Sequence, residues 1–76
     1  MASETAAAAA AIDIVVNAEP VRVRAGTLAD VLAQLGYGEG RIATALNGEF
    51  VPERMRPETP VQPGDRIEIV SARQGG

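Results

Sequence analysis

Residues 25–36 read AGTLADVLAQLG, and this stretch decides the fold. Leu28, Val31, Leu32 and Leu35 stand at i, i+3, i+4 and i+7, which is one stripe of a helix. Thr27 precedes the stripe as an N-cap. Asp30, three residues on, puts an acid in the first turn and comes near a capping box. Gly36 stands where a C-cap glycine belongs. The result is a two-turn helix with one buried face. Each of its four apolar side chains contributes about 1.5–3 kcal/mol when fully buried. Much of the core energy therefore lies between this helix and the surface it covers.

Outward from the helix, the chain reads as strands. Upstream, Ile12 to Asn17 is β-branched and alternating, Asn17-Ala18-Glu19-Pro20 is a turn, and Val21 to Arg24 alternates apolar residues with arginine. These two strands form a hairpin with one wet face. Downstream, Tyr37 to Gly40 is a loop. Arg41 to Leu46 is a third strand with Ile42, Thr44 and Leu46 on one face. Asn47-Gly48 is the strongest short hairpin signal in the chain. Glu49 to Val51 is a short fourth strand stopped by Pro52. Glu53 to Gln62 holds Pro57 and Pro60 and reads as irregular. Pro63-Gly64-Asp65 is a turn, and Arg66 to Ser71 is the last strand.

The order is β-β-α-β-β-β. One amphipathic helix covers one sheet face, and this chain has one such helix. A helix crossing from the second strand leaves the last strand beside the first. The expected fold is α+β of the β-grasp, ubiquitin-like kind: a mixed sheet of four to five strands with one main helix on one face. Its body spans residues 12–71. Residues 1–11 form an alanine-rich extension too short to hold a helix alone, since isolated helices below about 12–15 residues are marginal. Residues 72–76 form a flexible tail.

Composition narrows the function. The 76 residues hold one domain, and 46% hydrophobic content is enough for a core. There is no cysteine and no histidine, so disulfides, thiolate chemistry and the commonest general base are absent. The net charge is −3 and all seven basic residues are arginine. Such an acidic chain is a poor fit to nucleic acid. No apolar run approaches the ~18–20 residues that span a membrane. No nucleotide loop, metal cluster or Ser-His pair is present. The ten carboxylates are scattered, as solvated surface acids are.

The informative feature is the end, Arg73-Gln74-Gly75-Gly76. A plain frayed terminus would look similar. Its context favours chemistry. Residues 72–76 reach about 17 Å when extended, enough to place a terminal carboxylate inside another protein while the body docks outside. Activating a carboxylate as an acyl-adenylate needs in-line approach to an ATP α-phosphate, and a terminal residue without Cβ can enter a narrow channel in any backbone conformation.

Three segments together resemble a known family. They are Leu46-Asn47-Gly48-Glu49-Phe50-Val51-Pro52, then Pro63-Gly64-Asp65-Arg66-Ile67-Glu68-Ile69-Val70, then Gly75-Gly76. Their order and spacing resemble the ThiS branch of the ThiS/MoaD-like sulfur carriers, over Ile12 to Gly76. Residues 1–11 extend beyond the usual family start, and Arg73-Gln74 is more polar than the family's approach to its glycines. The resemblance implies a carrier or co-substrate in thiazole formation for thiamine, and not an enzyme. A ThiF-like enzyme would adenylate Gly76 with ATP. A cysteine desulfurase or similar donor would supply sulfur, leaving a thiocarboxylate. The thiazole synthase ThiG would receive it. The carrier would bind no cofactor and no metal, would contact no nucleic acid or membrane, and would be cytoplasmic and monomeric when free.

Alternation also predicts a docking surface. With Ile12, Ile14, Val16, Ile67 and Ile69 facing the helix, Val15 and Val70 point outward on strands expected to be neighbours. Ala43 and Ala45 point outward on the third strand. This apolar patch is the expected contact with the activating enzyme, although isolated exposed valines are ordinary. Arg73 would pair with acids at the channel mouth or merely solvate the tail. Other readings remain open at this level. The small subunit of molybdopterin synthase has the same fold and tail chemistry. A ubiquitin-like modifier would use Gly76 for isopeptide bonds. A plain binding module would not use the glycines at all.

Overall fold

Local chemistry sets the helix before any packing does. In the computed structural model, which describes residues 10–37 and 41–71, α1 runs Leu28–Gln34. The Asp30 N–H donates to the Thr27 hydroxyl at 3.2 Å, and the Thr27 N–H donates to the Asp30 carboxylate at 2.9 Å. The capping box is complete. At the other end Leu35 is the C-cap and Gly36 takes φ +91°. The Tyr37 N–H donates to the Leu32 carbonyl at 2.8 Å and the Gly36 N–H to the Ala33 carbonyl at 3.1 Å. This is a Schellman ending, and it satisfies carbonyls that the helix leaves open.

Gly26 protects the cap by having no side chain. A Cβ there would lie 2.7 Å from Asp30 Oδ2 and 3.0 Å from Asp30 Cβ. Gly26→Ala is expected to displace the capping carboxylate and cost about 1 kcal/mol. Urea unfolding would show this as a lower midpoint at unchanged slope. An unchanged midpoint would mean that Asp30 swings aside without loss.

The strands in chain order are β1 (Ala11–Val16), β2 (Glu19–Arg24), β3 (Gly26–Thr27), β4 (Ile42–Leu46), β5 (Glu49–Val51), β6 (Pro60–Val61) and β7 (Arg66–Ser71). Five of them form one sheet in the order β2-β1-β7-β4-β5, and β3 pairs with β6 apart from it. The β1–β7 pair is parallel and the other pairs are antiparallel, so the sheet is mixed. Ile12, Ile14 and Val16 of β1 and Ile67 and Ile69 of β7 are buried against α1, as the alternation predicts. This is the expected β-grasp fold.

Three details differ from the sequence reading. First, the strand begins at Ala11 rather than Ile12, with Ala11 opposite Arg24. Second, the first turn is two residues, not four. Asn17 and Ala18 take φ +50° and +72°, and Val16 pairs directly with Glu19. That left-handed pair matches strand twist. Pro20 is then tolerated because β2 is an edge strand that needs no N–H there. Third, Glu53 to Gln62 is not irregular. It holds a 3-10 helix over Glu53–Glu58 and then β6. Its support is non-local: Arg56 donates to the Ile42 carbonyl at 2.8 Å and to the Thr44 hydroxyl at 3.2 Å. The buried Thr44 hydroxyl itself donates to the Val51 carbonyl at 2.9 Å. The readings of residues 1–9, 38–40 and 72–76 lie outside the described residues.

Candidate functional site

The sheet face turned away from α1 is the candidate site, because β7 runs through it and leads on to Gly76. Alternation sends Arg66, Glu68 and Val70 of β7 outward while Ile67 and Ile69 turn in. Val70 is 64% exposed, unusual for a valine in the middle of a five-stranded sheet. Its partner across the ladder is Ala43, exposed on β4. Two residues along, half-buried Ala45 faces Glu68 on one side and Phe50 on the other. Phe50 is 69% exposed. Directly opposed residues in an antiparallel pair hold their Cβ atoms about 4.5–5.5 Å apart. Val70, Ala43, Ala45 and Phe50 therefore make one continuous apolar strip across three strands.

Val15 is not part of it. It pairs with Arg66 on β7 and Pro20 on β2 and is half-buried. Val70 lies four positions beyond Arg66 on β7, roughly 13 Å at strand rise. The sequence places both valines outward, and both are, but the parallel register sets them apart. Phe50 was missed, though a signal existed. A two-residue Asn47-Gly48 turn pairs residues 46 with 49 and 45 with 50, which sets Phe50 beside Ala45. Arg73, Gln74, Gly75 and Gly76 lie outside the described residues.

A charged pair lies on the same face but away from the strip, beyond Val15. Asp13 and Arg22 face each other across β1 and β2 and form an ion pair, with Arg22 Nε 2.9 Å from Asp13 Oδ1 and Nη2 3.3 Å from Oδ2. The hydrogen bond from Arg22, and then its charge, hold the Asp13 carboxyl below the usual carboxylate range. A lowered carboxyl adds stability above its unfolded pKa and loses it as pH falls through the folded value. The contribution is small because both side chains are well exposed. Among the described residues no group of three or more Asp or Glu is placed to hold a metal ion. No helix among them is long and apolar enough to cross a membrane.

Comparison with known proteins points one way. Residues 13–76 match the model of the ThiS family. The chain is 35% identical over 60 residues to the sulfur carrier protein ThiS of Thermus thermophilus, covering 79% of this chain and 94% of that protein. The fold is similar to the crystal structure of a thiamine biosynthesis protein (ThiS) from Geobacter metallireducens. The TM-score is 0.73 at 25% identity, covering 86% of this chain and all of that one.

Proposed function

The chain belongs to the ThiS family, and from that premise we propose that this sulfur carrier of thiamine biosynthesis works through the carboxylate of Gly76. The observation that carries the reading is that the family match runs through to Gly76, five residues past the end of β7 at Ser71. An oxygen of that carboxylate attacks the α-phosphorus of ATP on a ThiF-like activating enzyme, and pyrophosphate leaves. The outer sulfur of a persulfide, supplied by a cysteine desulfurase or similar donor, attacks the acyl carbon, and AMP departs with the transferred oxygen. A second thiol on the partner side then cleaves the resulting acyl disulfide, which releases the thiocarboxylate and leaves the two partner sulfurs joined as a disulfide. A thioacid is ionised at neutral pH and is a nucleophile, which suits delivery to a ThiG-type thiazole synthase.

On this reading the chain is a cytoplasmic co-substrate, monomeric when free. The ATP belongs to the activating enzyme, and the carrier binds no cofactor of its own. Gly75, Gln74 and Arg73 lead the carboxylate into the partner's channel. A terminal pair without Cβ atoms fits a narrow channel and leaves the attack angle free.

The strip of Val70, Ala43, Ala45 and Phe50 is the docking surface for the activating enzyme, and Val15 lies outside it. Contiguous apolar residues on an otherwise polar face mark contact surfaces. Val70→Asp sets a carboxylate in that strip. The substitution is expected to raise the KM for the carrier in adenylation about ten-fold, equivalent to about 1.4 kcal/mol of binding. Stability should stay within about 0.5 kcal/mol, because the site is exposed. Unchanged adenylation kinetics would end the docking idea.

Intact mass after incubation with ATP, an activating enzyme and a sulfur source tests the function itself. The expected result is a mass gain matching exchange of one oxygen for sulfur. No gain with an enzyme shown to be active would overturn the reading. High-molecular-weight adducts on a denaturing gel would replace it with a protein modifier.

A further inference from the structure

β7 is the strand from which the chain runs on to Gly76, and its two sides are held unequally. On the β4 side it is paired from Ile67 opposite Leu46 to Ser71 opposite Ile42. On the β1 side the parallel register covers only Val15 with Arg66 and Val16 with Ile67. Beyond that point β1 turns away into the hairpin. The last backbone bond on this side runs from the Asn17 N–H to the Ile67 carbonyl at 2.9 Å. Asn17 holds φ +50°, so its backbone cannot continue the strand.

Its side chain continues the ladder instead. The Ile69 N–H donates to Asn17 Oδ1 at 2.8 Å, and Asn17 Nδ2 donates to the Ile69 carbonyl at 3.2 Å. One carboxamide supplies the acceptor and the donor that two further residues of β1 would have supplied. Asn47 acts in a related way at the start of β7: the Arg66 N–H donates to Asn47 Oδ1 at 2.9 Å. Asn17 is the one that holds the half of the strand nearer the tail.

We propose that Asn17 is a positioning residue for the Gly76 carboxylate, an inference that rests on the sulfur-carrier reading above. Its carboxamide keeps the far half of β7 in line, so that Ser71, from which the chain runs on to Gly76, is held at a fixed point. Residues 72–76 reach about 17 Å at most, so any retreat of Ser71 is taken from the reach of the reacting atom. A misplacement of about 1 Å can cost roughly 100-fold in rate. Asn17 is not part of the docking strip, so its loss should act on the chemistry and leave the encounter alone.

Asn17→Gly in the full chain isolates the carboxamide, because glycine takes a positive φ without strain. Asn17→Asp keeps the acceptor for the Ile69 N–H and loses the donor to the Ile69 carbonyl. In the glycine variant the Ile69 amide should exchange about ten-fold faster, the size of one net hydrogen bond, while the β1–β2 amides keep their protection. The kcat of adenylation should fall about ten-fold with KM held within about two-fold, and the aspartate variant should lie between. A raised KM at constant kcat would make Asn17 a docking residue and overturn the proposal. Equally faster exchange at every amide would reduce its role to global stability and also overturn it. Wild-type behaviour of the glycine variant in both measurements overturns this inference alone. A wild-type chain that an active enzyme does not adenylate overturns the sulfur-carrier reading and this inference with it.

Discussion

A chain lacking Gly75 and Gly76 is expected to take up no sulfur at all while unfolding at the same denaturant concentration as the full chain. The buried apolar residues described above all lie between Ile12 and Ile69, and the β4–β7 ladder closes where Ser71 meets Ile42. The fold therefore has its core and its sheet before the glycines are reached. The chemistry does not: truncation leaves Gln74 as the terminal residue, shortens the reach by about 7 Å and puts a Cβ where the channel would admit none. Intact mass of wild type and truncated chain, after the same incubation, reads the difference directly. Sulfur uptake by the truncated chain would show that some other carboxylate is the acceptor. Equal loss of stability and uptake would show that the glycines act through the fold.

Leu28→Ala is the substitution expected to cost the most stability. Leu28 is fully buried at the first turn of α1, where the helix meets the sheet. Its backbone N–H donates to the Thr59 carbonyl at 2.7 Å, and that bond survives the change. The effect thus isolates side-chain packing. Removing the branched end loses its transfer energy and leaves a cavity, together about 2–5 kcal/mol. A domain of this size holds only about 4–11 kcal/mol in all, so the variant should lose roughly half its stability and melt at least about 10 °C lower. Thermal unfolding followed by circular dichroism would show it. A loss below about 1 kcal/mol would mean that the neighbours collapse into the space. At temperatures where the variant stays folded, its sulfur uptake should match wild type, since Leu28 lies on the face opposite the docking strip.

Much of the fold was legible because its signals are short-range. The Thr27–Asp30 box, the Gly36 ending and the Asn47-Gly48 turn each depend on residues within four or five positions of one another. The 3-10 helix at Glu53–Glu58 was not legible. Pro57 reads as a breaker, and the compensating bonds come from Arg56 reaching back 12 and 14 residues to β4. The first hairpin was half legible: Asn17 signals a turn, but its two-residue form needed Ala18 at φ +72°, a conformation alanine rarely takes without tertiary support. The tail chemistry was read from Gly75-Gly76 and from the family resemblance.

By itself the sequence determined α1 with both its caps, the strand faces, and thus which valines and alanines turn outward. Side-chain direction in a strand follows from period two alone, and helix caps close within a turn. Only the tertiary structure decided how far β1 runs along β7. That register separates Val15 from Val70 and sets the Asn17 carboxamide against Ile69, 52 residues away. Parallel strands are joined by no tight turn that could fix their offset. The offset is chosen by the packing of α1 over the whole inner face and by bonds between residues that meet only once the chain is folded.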